Sequence, residues 1–210
     1  MKLIIVGASG LVGGEVLALA LADPAVEAVM APARRATATT HPKLHAPLVD
    51  FDVLPSDAAW WKADAVVCTL GTTRRKAGSE QAFRRVDHDY PLAAAKLAHA
   101  HGTPTYVLNS AMGADANSRF FYNRVKGEVE RDLADVGFRS LTFVRPGLIG
   151  GERDEFRAGE RIGLAAFAVL APVLPRRLRI NPAGHIAREL LHAALQPEPG
   201  THVVESDRMI

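Results

Sequence analysis

Short apolar runs alternate with longer helical patterns along almost the whole chain. KLIIVG (residues 2–7) reads as a fully buried strand, followed by a helical pattern from about Leu11 to Ala22. VEAVMA (26–31), APLVDF (46–51) and ADAVVCTL (63–70) read as the second, third and fourth strands. A helix is predicted from about Ser79 to Ala100, then a fifth strand in TPTYVLNSA (103–111) and a helix from about Arg119 to Val136. RSLTFVRPG (139–147) is the sixth strand, Gly184 to Leu195 the last helix and THVVE (201–205) a short final strand. Strands that are apolar throughout, separated by helices, imply a sheet buried on both faces. The pattern predicts a Rossmann-type, doubly wound α/β fold with a mainly parallel sheet, forming one domain over residues 1–210. Residues 151–182 are the least regular and Arg-rich, and are expected to form a substrate-side or lid segment within that domain.

Composition changes this picture little and excludes several function classes. The chain is 48% hydrophobic and 23% charged with a formal net charge of +2, and its acids and bases are spread along its length. No basic stripe of the kind that binds nucleic acid is present. One cysteine excludes an intramolecular disulfide framework and suits a reducing compartment; Cys68, within AVVCTLG, reads as a small buried hydrophobe. The N-terminus MKLIIVGASG runs straight into glycines without a cleavage-site pattern. The longest apolar stretch, IGLAAFAVLAPVL (162–174), is too short to span a bilayer, contains Pro172 and reads as a buried helix. A cytoplasmic protein without membrane or nucleic-acid partners is expected.

The first chemical signal follows the first strand. Gly7, Gly10 and Gly13 form GxxGxxG at the strand-to-helix turn, where the chain must turn sharply, approach a pyrophosphate and pack helix on strand. The helix N-terminus would present unpaired N–H groups to the phosphates. No GK[ST] follows, which argues against a nucleoside-triphosphate loop. The second strand ends in MAPARR: the acid that usually holds the adenosine ribose of NAD is missing, and Arg34 and Arg35 stand where a 2′-phosphate would pair. NADP(H) is therefore the preferred cofactor, with NAD(H) the second choice. Asp50 either contacts the adenine edge or serves as a turn acid.

Tyr122 and Lys126 form the only YxxxK of the chain, and four-residue spacing puts both on one helix face. A lysine ammonium beside a phenol favours the phenolate. Tyr122 can thus exchange a proton with a carbonyl or alcohol while hydride moves to or from a nicotinamide. Ser110, at the carboxyl end of the fifth strand, would orient the same oxygen, and Lys126 would also hold the nicotinamide ribose.

GASGLVGGEV, CTLGTTRRKAGSEQAFRRVDHDY, NSAMGAD, YNRVKGEVE and FVRPG together resemble the atypical and extended branch of the short-chain dehydrogenase/reductase superfamily. Within it the chain is similar to the Tat-interacting-protein type of NADP(H)-binding protein. The resemblance runs from Met1 to about Ala194, and LGTTRRKAG is its most specific block. It implies that Gly7, Ser9, Gly10, Leu11 and Val12 wrap the pyrophosphate and that Arg34 and Arg35 face the adenosine phosphate. It further implies that Leu70, Gly71 and Thr72 line the adenosine and ribose, and that Pro146, Gly147 and Ile149 bracket the nicotinamide. Two departures stand out. Asp87 occupies a region where many relatives carry Asn, and only about 60 residues follow Gly150, which leaves a sugar-nucleotide site small or absent.

The remaining candidates read structurally. His41 and His45 are separated by Pro42 and form no helical metal pair; His99 and His101 flank a helix end; Trp60 and Trp61 are packing residues. Arg74–Arg75 and Arg176–Arg177 are solvated turns that could border an anionic substrate. The first functional expectation is an NADP(H)-dependent oxidoreductase acting on a small carbonyl or alcohol. The second is a regulatory or interaction protein that reports NADPH occupancy to a protein partner with little turnover, and the third is a nucleotide-sugar epimerase or dehydratase. No metal is expected, and the sequence leaves homo-oligomerisation open.

Overall fold

The computed structural model describes residues 1–150 and 179–210. Its core is one seven-stranded, all-parallel sheet. The strands are β1 (Lys2–Val6), β2 (Ala28–Met30), β3 (Leu44–His45), β4 (Ala65–Cys68), β5 (Thr105–Asn109), β6 (Ser140–Arg145) and, after two short strands outside this sheet, β9 (Gly200–Glu205). Their spatial order is β3-β2-β1-β4-β5-β6-β9, so the chain winds outward in one direction and restarts in the other between β1 and β4. Two short parallel strands, β7 (Ile149–Gly150) and β8 (Asn181–Pro182), pair apart from the main sheet.

Alternation along the central strands explains their unbroken apolar character. Leu3, Ile5, Ala65, Val67 and Val107 face α1 (Leu11–Ala22) and the last helix (Ala183–Leu195). Ile4, Val6, Val66, Cys68, Tyr106 and Leu108 face the opposite layer, including the helix Tyr90–Ala100 and the helix Phe121–Ala134. Both faces are covered, so both sets are mostly apolar, and the buried polar group among them, the Tyr106 hydroxyl, donates to the Pro91 carbonyl at 2.9 Å. In chain order the further helices among the described residues are α2 (Arg74–Ala77), α3 (Glu80–Arg84), α4 (Tyr90–Ala100), α5 (Phe121–Ala134) and α6 (Ala183–Leu195).

The Rossmann-type architecture expected from the pattern is present, with three local corrections. The third strand is Leu44–His45 rather than APLVDF, which contributes only a bridge between Ala33 and Leu48; Pro47 lacks an N–H and interrupts the ladder. The single helix expected over 79–100 is divided into α3, a π-helical turn (Arg85–Asp89) and α4. Pro91 sits in the first turn of α4, where its missing N–H and its ring prevent a continuous α-helical ladder. The β7–β8 pair was not foreseen. The apolar stretch 162–174 and most of the irregular segment lie outside the described residues.

Candidate functional site

The chain reverses its winding between β1 and β4, and in such sheets the loops leaving those two strands border a crevice. Gly7 closes β1 with φ +92°, a conformation that favours glycine. A Cβ there would stand 2.8 Å from both the Leu70 nitrogen and Thr69 Oγ1. At Gly13 a Cβ would collide with the Gly7 carbonyl and lie 2.5 Å from Thr69 Oγ1. Gly10 differs, because its nearest such neighbour is the Gly7 oxygen at 3.4 Å. Gly7 and Gly13 are therefore required by the protein's own packing, whereas Gly10 is open.

Gly10 is the N-cap of α1 and offers no side chain to the helix's first N–H groups; no acid occupies the first turn. The N–H groups at Leu11, Val12 and Gly13 thus carry the helix's partial positive charge without a local anion. Ser9 and Gly10 are exposed, Leu11 is half-buried and the Val12 side chain is in the core, which leaves Val12 only its backbone to offer a ligand. This donor set fits a pyrophosphate.

Around it, Arg34 and Arg35 are exposed just beyond β2. Asp50 accepts the Asp52 N–H at 2.9 Å and so acts as a turn acid. Leu70 packs partly against the core, Gly71 is exposed, and the Thr72 N–H donates to Asp87 Oδ2 at 2.8 Å.

Helix α5 supplies the second half of the site. Tyr122 is 41% exposed and its ring lies 5.8 Å from that of Phe83, while Lys126 one turn later is buried. Lys126 Nζ pairs with Asp87 Oδ1 at 2.9 Å, and Asp87 is itself buried. Burial disfavours the ammonium, but the Asp87 carboxylate outweighs it and holds Lys126 above the ordinary lysine value. Removing one partner of such a pair costs about 3–5 kcal/mol, because the other charge is left buried alone. The π-helical turn is also pinned by His88, whose two ring nitrogens meet Asp89 at 2.8 Å and Asp132 of α5 at 2.9 Å.

The Ser110 hydroxyl is engaged with a residue other than Tyr122. It donates to Glu130 Oε1 at 2.5 Å, and Glu130 is eight residues beyond Tyr122 on α5, about 12 Å along the axis. Glu130 also receives Arg145 of β6 through Nε at 3.0 Å and Nη2 at 2.5 Å. Arg145 is held above its ordinary value chiefly by the Glu130 hydrogen bond. Ser110 thus belongs to a buried network that fastens α5 to β5 and β6.

After β6, Pro146 is buried and its carbonyl accepts the Met112 N–H at 2.8 Å. The Gly147 N–H donates to Asn181 Oδ1 at 2.6 Å, and Ile149 packs partly on the α1–α6 side of the core. Fully buried Asn181 also donates to the carbonyls of Ser206 and Met209, so it positions the whole turn after β6. Sequence reasoning missed Asn181, Glu130 and the contact of Asp87 with Lys126. Each is a polar residue whose partner is distant in sequence; only the polarity of Glu130 on the α5 core face gave a local signal. Between α4 and α5 lies a groove of about 430 Å³ lined by Leu92, Lys96, His99, Asp132, Asp135 and Val136. Among the described residues no cluster of metal-ligating side chains occurs.

Comparison with known proteins identifies the family. The NAD(P)H-binding family model matches residues 7–160. Protein fmp52, mitochondrial, of Emericella nidulans is 35% identical over 167 residues, which cover 75% of this chain and 71% of the relative. Protein HTATIP2 of Rattus norvegicus is 39% identical over 154 residues, covering 73% and 63%. In the solved structures, MoeE5 in complex with UDP-glucose and NAD superposes with a TM-score of 0.73 at 15% identity, covering 97% of this chain and 75% of that one, a likeness of fold. The expected cytoplasmic location is overturned, since the fungal relatives are named mitochondrial proteins. No helix among the described residues is long and apolar enough to cross a membrane.

Proposed function

Because this chain belongs to the NAD(P)H-binding family, in the atypical short-chain dehydrogenase/reductase branch of Tat-interacting-protein type, we propose that it is an NADP(H)-dependent oxidoreductase of small carbonyl or alcohol substrates. The carrying observation is the pairing of exposed Tyr122 with the buried, ion-paired Lys126 one helical turn away. The glycine loop, the uncapped start of α1 and Leu70–Thr72 would hold the dinucleotide, and Pro146, Gly147 and Ile149 would flank its nicotinamide end. When bound, the dinucleotide supplies or accepts the hydride. Tyr122 Oη gives a proton to the substrate oxygen in reduction and takes it back in oxidation, and its exposure leaves it open to a substrate. Lys126 keeps its ammonium beside that exchange. Arg34 and Arg35, with no acid at the end of β2, support the choice of NADP(H) over NAD(H).

Titration of the purified protein with NADPH and NADH, followed by fluorescence, tests the cofactor reading. Tight NADPH binding and weak NADH binding are expected, followed by NADPH oxidation with some member of a carbonyl panel. Binding of neither refutes the proposal. One observation favours a second reading, a protein that reports NADPH occupancy to a protein partner with little turnover: the Ser110 hydroxyl donates to Glu130. NADPH binding without oxidation across the panel would select this reading.

A further inference from the structure

Asp87 has no part in the reaction as written, yet it is the buried group that touches both halves of the site. One carboxylate oxygen pairs with Lys126 of α5, and the other accepts the Thr72 N–H from the loop that follows β4. The π-helical turn makes this reach possible. On a regular helix neighbouring residues do not share a face, but here Asp87 and His88 both meet α5, at Lys126 and Asp132. We propose that Asp87 is a positioning residue, which joins Lys126 to the dinucleotide-binding loop after β4 so that ammonium and loop backbone take up a single arrangement. The inference rests on the cofactor reading above and adds to it the means by which Lys126 is held in place.

The charge argument supports the geometry. Lys126 is faced by Asp87 from the π-helical turn, by Tyr122 from its own helix and by the Cys68 thiol from β4. Of these only the Asp87 carboxylate opposes the burial of the ammonium with a hydrogen-bonded negative charge. Without it, burial acts unopposed and drives the lysine towards its neutral form.

Asp87→Asn tests the proposal, because the amide keeps an acceptor for Thr72 and removes the anion. NADPH affinity of the wild type is expected to vary little between about pH 7 and about pH 9.5, whereas that of Asp87→Asn should weaken by about tenfold as Lys126 discharges. Adding Lys126→Arg to Asp87→Asn should flatten the profile again, since a guanidinium stays charged. A merely structural role would lower affinity without changing its pH dependence. Parallel profiles for wild type and Asp87→Asn overturn this inference alone, while absence of NADPH binding by the wild type overturns the cofactor reading and this inference with it. Should Asp87→Asn fail to fold, carbon-13-labelled lysine in the wild type is the deciding measurement. Lys126 is expected to titrate above the exposed lysines, and titration together with them overturns the pairing.

Discussion

Gly10, the N-cap of α1, and Gly13, in its first turn, lie three residues apart, and the structure predicts opposite consequences for replacing them. At Gly13, alanine would gain up to about 1 kcal/mol of helix propensity. Its Cβ, however, would collide with the Gly7 carbonyl and press on Thr69 Oγ1 at 2.5 Å. The Gly7 carbonyl cannot retreat easily, because Gly7 is itself packed against Thr69 and Leu70. Overpacking against such rigid atoms costs about 3 kcal/mol, at the upper end of the range for overpacked cores because the contact is so close, so the collision outweighs the propensity gain and a net loss of about 2 kcal/mol is expected. For a chain of this size that lowers Tm by about 4–8 °C. At Gly10 a valine Cβ would meet only the Gly7 oxygen at 3.4 Å, and the backbone, at φ −83° and ψ 170°, accepts any residue. The loss of a favourable N-cap costs about 1 kcal/mol. The valine side chain, however, stands where phosphate oxygens would approach the N–H groups of α1. Losing two charge-assisted hydrogen bonds there weakens binding by about a hundredfold or more. Thermal melts of the cofactor-free proteins and NADPH titrations separate the two cases. Gly13→Ala melting at or above the wild type, as propensity alone would have it, refutes the packing argument. Gly10→Val binding NADPH with wild-type affinity refutes the assignment of the pyrophosphate site.

Three further outcomes are expected. Tyr122→Phe should keep NADPH affinity within about twofold and lower turnover by about a hundredfold to ten-thousandfold in a steady-state assay, which full activity would contradict. The double change Arg34→Ala and Arg35→Ala should weaken NADPH about tenfold or more and leave NADH untouched, erasing the preference in the same titration. Gly127→Ala should destabilise by about 1–3 kcal/mol despite its helix propensity, because a Cβ there collides with the Asp115–Ala116 backbone lying on α5; an unchanged melt would show that this loop can move aside.

The order of elements and the class of fold were legible because their cause is local. Where a strand is covered on both faces it reads as an unbroken apolar run, as in Leu3–Val6 of β1 and in β4, and helices between them must carry a buried stripe, as α5 does with Val125, Val129 and Leu133. The glycine loop was legible from its spacing after the first strand, and only the contact of Gly13 with the Gly7 carbonyl is local to it; the contacts of Gly7 with Thr69 and Leu70 and of Gly13 with Thr69 come from the segment that follows the neighbouring strand β4. Spacing also placed Tyr122 and Lys126 on one helix face. Three things depended on the assembled sheet and its helical layers. The winding reversal brings Thr69 and Leu70 against Gly7, so the crevice belongs to two segments more than sixty residues apart. A π-helical turn, invisible to a periodicity of 3.6, swings Asp87 onto Lys126. The level at which α5 crosses β5 decides that Ser110 meets Glu130, two turns beyond Tyr122. Sequence spacing reports which face of an element a side chain occupies, and it carries no information on how far along its neighbour that face is docked. That docking is fixed by side-chain packing between layers, and the tertiary structure alone decides it.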